Sequence, residues 1–316
     1  MSNRSPVRSA FAALLTFAAC APAAAQDGKL ELRLRLKAGE VYRLKTTVEQ
    51  RVNQAIGANA QPTEQTFAVG YSMAVESVDG AGNMKVATKY DTVLFRQKGP
   101  GGAVEYDSQN PPKQVPQAAR SFAALAGLGF KSTITPTGRV TAVEGLDAMF
   151  AEMVRKLELP EGPQKAAVQK VLAEQFGEET MKQNLQNVFA LYPDTPVAVG
   201  ESWQRRVVVS KGFPVIIDAT YTLKGREGGV ARVEIKSTLS PNEAAGPVDL
   251  GTGKMSYDLK GEQSGTAEID EATGWTRSLT TSQVVSGLLR FQGAGGAQEV
   301  NNPVTIQEKI TMEALK

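Results

Sequence analysis

The stretch Leu30-Glu31-Leu32-Arg33-Leu34-Arg35-Leu36-Lys37, then Ala38-Gly39-Glu40, then Val41-Tyr42-Arg43-Leu44-Lys45-Thr46-Thr47-Val48, sets the character of the chain. Leucine holds every even position from 30 to 36 and a charged residue every odd position from 31 to 37. A period of two gives an extended strand one dry face and one wet face. Tyr42, Leu44, Thr46, Val48 and Val52 then alternate with Arg43, Lys45, Thr47, Glu49 and Arg51. With Ala38-Gly39-Glu40 as a tight connection, the two runs predict a hairpin.

Working outward, Phe67, Val69, Tyr71, Met73 and Val75 keep the alternation, and Asp79-Gly80-Ala81-Gly82-Asn83 turns the chain. Met84 to Gln97 ends with apolar residues on both faces, the mark of a central or helix-covered strand. A short strand at Ala103 to Tyr106 leads to the Pro111-Pro112 break. Strands resume after Val197, at Trp203 to Val209, Val215 to Lys224, Val230 to Leu239, Met255 to Lys260, Gly265 to Ile269, Trp275 to Leu289 and Val304 to Met312. Turns such as Glu227-Gly228-Gly229 and Asp270-Glu271-Ala272-Thr273-Gly274 separate them.

Between Val115 and Tyr192 the period changes. Residues 117 to 127 are alanine-rich, and a hairpin spans Phe130 to Val143. Leu146, Met149, Phe150, Met153, Val154 and Leu157 recur at helical spacing until Pro160. Pro163 suits the first turn of a helix carrying Val168, Val171, Leu172 and Phe176, and Met181, Leu185, Val188, Phe189 and Tyr192 mark another. Amphipathic helices must lie on something. The fold expected is therefore α+β and predominantly antiparallel β: a large curved, half-barrel-like sheet with the segment around 115–192 packed on its concave face as a helical insertion. Two β domains joined by a helical linker would also fit the order of elements. Residues 133–140 and 268–275 echo each other as strand, Thr-Gly turn, strand, which reused turn chemistry explains without duplication.

The first 25 residues read as an export signal. Arg4 and Arg8 give a basic start, Ala10 to Ala19 an apolar run, and Ala23-Ala24-Ala25 a small-residue cleavage site before Gln26. The run is too short to span a bilayer. Cleavage there leaves residues 26–316 as a single β-rich domain. The chain has 35 basic and 33 acidic residues, and the signal holds two of the basic ones, so the remainder is formally neutral. Neutrality argues against a nucleic-acid partner. Cys20 is the sole cysteine, which excludes a disulfide within the chain. Phe17-Ala18-Ala19-Cys20 also resembles a lipoprotein cleavage box, making Cys20 a candidate lipid-attachment residue. The location expected is periplasmic or extracellular, or else tethered to the envelope through Cys20.

There is no histidine, the commonest general base near neutral pH and the commonest metal ligand. Ser210-Lys211 would point to opposite faces of a strand. Gly200-Glu201-Ser202-Trp203-Gln204 begins like a nucleophile elbow but ends in Gln204. Gly251-Thr252-Gly253-Lys254-Met255 lacks the spacing of a P-loop, and Asp79 to Asn83 lacks that of a calcium loop. Two acids alone could serve a hydrolase. Glu268, Asp270 and Glu271 cluster around a turn, however, and Glu178 and Glu179 suit a helix start. Trp203 and Trp275 could stack on sugars, but each opens a strand and reads as packing. No catalytic, cofactor-binding or metal residues are assigned, and no cofactor is expected.

Lys37-Ala38-Gly39-Glu40-Val41-Tyr42, Ile134-Thr135-Pro136-Thr137-Gly138-Arg139-Val140, Val199-Gly200-Glu201-Ser202-Trp203 and Asp270-Glu271-Ala272-Thr273-Gly274 together resemble an uncharacterised family of secreted bacterial β-rich proteins, a domain of unknown function. The resemblance implies a shared fold and an envelope or extracellular location, and it carries over no site residues. The first functional expectation is a non-catalytic exported protein that binds an apolar ligand such as a lipid in an open pocket between sheet and helices. The alternatives are a structural or protein-interaction module of the envelope and, further off, a carboxylate-dependent hydrolase.

Overall fold

The computed structural model describes residues 28–54, 62–162, 165–166, 168–169, 177–189, 191–209, 214–249, 253–293 and 299–316. The export segment with Cys20, Ser210-Lys211, residues 250–252 and most of the helix expected after Pro163 lie outside them.

Alternating segments become long strands. β1 (Val41–Gln54), β2 (Thr63–Val78) and β3 (Met84–Gly99) run up and down, and β4 (Gly102–Asp107) folds back on β3. The helical stretch contributes α1 (Arg120–Leu125), α2 (Leu146–Lys156) and α3 (Glu178–Val188), with the hairpin β5 (Gly129–Ile134) and β6 (Val140–Glu144) before α2. After it come β7 (Ser202–Val209), β8 (Val215–Glu227), β9 (Val230–Pro241), β10 (Val248–Asp249), β11 (Gly253–Asp270), β12 (Thr276–Gly293) and β13 (Val300–Leu315). All thirteen strands join one open, curved antiparallel sheet in the order β6-β5-β3-β2-β1-β13-β12-β11-β9-β8-β7, with β4 beside β3 and β10 beside β11. The first and last long strands, β1 and β13, are neighbours at its centre.

The alternation at Leu30 to Leu36 holds, but the hairpin does not. All four leucines are buried, Leu32 and Leu34 to 0% and 1% exposure. Their backbone nevertheless pairs with turns rather than with β1: Leu30 bridges Val197, Leu34 N–H donates to Pro136 O, and Arg35 N–H donates to Thr273 O. Periodicity reports which side chains are dry, and it cannot distinguish a strand in a sheet from an extended segment laid across one. β1 pairs with β2 and β13 instead, which leaves no edge for this segment.

β3 is an interior strand that packs against α1, as expected, but its apolar residues do not divide between two faces. Its register against β2 shifts at Asp91, so Met84, Val86, Thr88 and Tyr90 share a face with Val93 and Phe95. A one-residue bulge moves the alternation by one position, and a strand that reads as apolar on both sides is apolar on one. Likewise, the runs 255–260 and 265–269 belong to the single strand β11. Gly261 and Gly265 interrupt the apolar pattern because a Cβ there would meet the backbone of β12.

The main core gathers the four leucines, the inner-face residues Met73, Val86, Ile134, Leu223, Val233 and Ile269, and Met149, Met153 and Phe189 from the helical stretch. The described helices make their main contacts with β3, β5 and β6, and α1 adds Phe122, stacked on Phe95 with centroids 4.2 Å apart. Among the described residues, Met149, Met153 and Phe189 from the helical stretch pack against the leucine segment and the inner face of the sheet.

Candidate functional site

Strand register builds a row of polar side chains straight across the inner face. Ser237 of β9 stands opposite Gln263 of β11, which stands opposite Gln283 of β12, then Glu308 of β13, Gln50 of β1, Gln65 of β2 and Gln97 of β3. On the other side of Ser237 the row passes through Ala219 of β8 to Arg205 of β7. Directly opposed residues of an antiparallel pair project to the same face, so these side chains are neighbours although their positions span most of the chain.

Hydrogen bonds run along the row. Ser237 Oγ donates to Gln263 Oε1 at 3.3 Å, Gln263 Nε2 to Gln283 Oε1 at 3.5 Å, and Gln283 Nε2 to Glu308 Oε1 at 2.6 Å. From the opposite side Gln50 Nε2 donates to Glu308 Oε2 at 3.0 Å. Burial pushes the Glu308 carboxyl above the ordinary carboxylate range, and the Gln50 and Gln283 amides pull it part of the way back. Arg205, at the far end, is held by Asp194 at 2.8 Å and donates to Tyr192 O.

Two residues further along each strand the same face turns apolar. Ile217, Leu239, Val285, Ile306 and Val52 oppose one another in sequence, with Gly261 between Leu239 and Val285. Leu239, Leu259, Val285 and Val304 form a cluster there, with Val52, Ile217, Tyr257, Leu289 and Ile306 half-buried against it. Every member comes from a strand. On the other side of the row lie Val48 and Ile310, also half-buried.

Two open cavities meet at this level. One of about 1130 Å³ is lined by Arg205, Ser237, Gln263 and Gln283 with exposed neighbours such as Lys236 and Glu262. The other, about 440 Å³, is lined by Gln50, Gln65, Gln283 and Glu308 together with their chain neighbours Glu49, Arg51 and Lys309, whose side chains alternate to the opposite face of the sheet. Gln283 belongs to both. Neither cavity is lined by the helices.

The residues singled out from sequence are placed elsewhere. Asp270 shapes its turn by accepting from Thr273 N–H and Thr273 Oγ1 at 2.9 Å each, and it pairs with Arg277. Glu271 pairs with Arg226 at 2.8 Å, both nearly buried, and Glu268 lies 3.4 Å from Arg232. None of the three lines the cavities above. Glu178 and Glu179 pair with Lys182. Asp79 accepts from the side-chain amide of Asn83 and from the backbone N–H groups of Asn83 and Ala81, which together hold its carboxyl below the usual range. Ser202 Oγ meets Thr222 Oγ1 on the edge of the sheet. Trp203 stacks on Tyr221 and Trp275 packs on Tyr42, both buried, as the packing reading expected. The polar row itself escaped sequence reading. Its members are scattered along the chain, and the one signal the sequence offers is a polar residue on the dry face of an alternating strand, at Gln50 and Glu308.

The model of a family of unknown function, DUF6263, matches residues 81–276. No curated protein matches the chain significantly. Among solved structures, one concerning lipid–protein interactions in lipovitellin is similar over 89% of this chain at 9% identity and a TM-score of 0.45. The chain spans about a quarter of the lipovitellin chain's length. DynF from the dynemicin biosynthesis pathway of Micromonospora chersina is similar over 95% of this chain and 92% of its own, at 7% identity and a TM-score of 0.21. OmpF from Salmonella typhi is similar over 88% and 98%, at 8% identity and a TM-score of 0.22. All three scores are too low for the likeness to bear on function.

Proposed function

Because the chain belongs to the family of unknown function DUF6263, its role has to be argued from its own surfaces, and we propose that it is a non-catalytic exported protein that binds an amphiphilic ligand on the inner face of its sheet. The observation that carries this reading is the set of half-buried apolar residues on one face of the sheet: Val48, Val52, Ile306 and Ile310 on the central strands β1 and β13, with Leu289 on β12 and Ile217 further out on β8. A concave apolar surface left half open beside a polar row suits a ligand with one dry part and one wet part. The absence of histidine and the structural ion pairs of Glu268, Asp270 and Glu271 support a role without catalysis. The basic, apolar and small-residue parts of residues 1–25 support export, with Cys20 as a lipid anchor if cleavage falls before it. Intact mass of the secreted protein distinguishes a chain starting at Gln26 from one acylated at Cys20.

The binding claim is tested by mass spectrometry of an organic extract from gently purified protein, beside Val52→Glu purified in the same way. A copurifying amphiphile that Val52→Glu loses is the expected result. Extracts free of any amphiphile, or an amphiphile retained equally by the variant, would overturn the reading.

A further inference from the structure

Glu308 differs from the acids that are paired across the outer face of the sheet. On the outer face, cross-strand acids meet cations: Asp218 with Arg206, Glu105 with Arg96, Lys131 with Glu76. Glu308 faces inward from the middle of the sheet, and among the described residues no lysine or arginine forms an ion pair with it. Its neighbours in sequence, Gln307 and Lys309, project to the other face and are exposed. Two amides hold its oxygens, Gln283 on Oε1 and Gln50 on Oε2. An ionised carboxylate has about four acceptor sites, so roughly half remain unused, and Glu308 is among the residues that line the 440 Å³ cavity.

We propose that Glu308 is the recognition point for a positively charged head group, and that the ligand is a cationic amphiphile carrying a primary ammonium. The inference rests on the amphiphile reading above and adds the chemistry of the head. Gln50 and Gln283 cannot neutralise the carboxylate; they orient it. An ammonium supplies the missing charge and three donors, and charge-assisted hydrogen bonds are about twice as strong as neutral ones. An anionic head would meet an uncompensated negative charge. Val52, Ile306 and Val285 lie two residues along their strands from Gln50, Glu308 and Gln283, about 7 Å away on the same face. The apolar chain of the ligand would therefore begin where the polar row ends. The raised carboxyl of Glu308 agrees, since an incoming cation relieves the cost of burying its charge.

The test is isothermal titration of the full exported chain at neutral pH with three probes of one chain length, dodecylammonium and dodecanoate below their micellar concentrations and dodecanol below its solubility limit. Dodecylammonium should bind about tenfold more tightly than dodecanol, with dodecanoate weakest. In Glu308→Gln, the preference for dodecylammonium over dodecanol should fall to near one. Glu308→Ala carries the same readout should the amide variant misfold. Equal binding of ammonium and alcohol, a preference for dodecanoate, or a preference that survives both substitutions would overturn the head-group assignment alone. Binding of none of the three would overturn the amphiphile reading as well.

Discussion

Tyr192 Oη donates a 2.7 Å hydrogen bond to the carbonyl of Gly274, tying the end of the helical stretch to the turn between β11 and β12. The phenol is wholly buried, and burial drives its pKa far above the ordinary tyrosine range, so it remains a neutral donor. Both hairpin turns that echo each other in sequence converge here. The β5–β6 turn offers Pro136 O to Leu34 and packs Gly138 against Phe189 and Tyr192; the β11–β12 turn offers Thr273 O to Arg35. Tyr192→Phe leaves a buried carbonyl without its donor and should lower stability by about 1–2 kcal/mol, read from urea unfolding midpoints. A midpoint equal to that of the parent chain would mean the bond contributes nothing.

Gly274 and Gly39 both have positive φ, +70° and +83°. A Cβ at Gly39 meets open space, whereas one at Gly274 would run into the carbonyl of Arg33. Gly39→Ala should cost about 1–2 kcal/mol, the left-handed penalty alone. Gly274→Ala should cost clearly more, because the turn must move off the leucine segment. Thermal unfolding of the two variants side by side checks the ranking.

Leu32→Ala and Leu34→Ala each remove a fully buried side chain and should cost about 2–5 kcal/mol. Lys37→Ala, on the wet face of the same segment and paired at the surface with Glu40 3.7 Å away, should change stability by about 0.5 kcal/mol or less. Comparable losses for leucine and lysine would refute the threaded placement of this segment.

Arg226 and Glu271 form an ion pair in which both side chains are largely buried, with 13% and 14% exposure. Glu271→Ala strands the guanidinium and should cost about 3–5 kcal/mol. Arg226→Met with Glu271→Leu should recover most of that loss, and chemical denaturation of the single and double variants decides it.

Glu308 makes stability depend on pH in a definite direction. Its carboxyl titrates higher in the fold than in the unfolded chain, chiefly through burial. Protonation therefore favours the fold: the favourable contribution is complete below the ordinary carboxylate range and is lost as pH rises through the folded value. Glu308→Gln should unfold at higher urea than the parent at pH 7, and the gap should close by about pH 4. A gap that stays constant across this range would show that burial of the charge is not its cause.

What the sequence by itself determined is the assignment of faces. Period two at residues 41–52 and 215–224, and helical spacing at 146–157, follow from the local geometry of the backbone and need no partner to be read. The burial of Leu30, Leu32, Leu34 and Leu36 was legible in the same way. What those dry faces meet was not, because backbone pairing is decided by distant segments: Leu34 finds Pro136, Arg35 finds Thr273, and β1 takes β13. The bulge at Asp91 was hidden for the same reason, since an extra residue shows only against a neighbouring strand. Gln50, Gln263, Gln283 and Glu308 are ordinary residues where they stand in the chain. Only the register of five adjacent strands aligns them with Ser237 into one row, and only the curvature of the sheet turns that row inward, where burial gives the carboxylate of Glu308 its unusual chemistry.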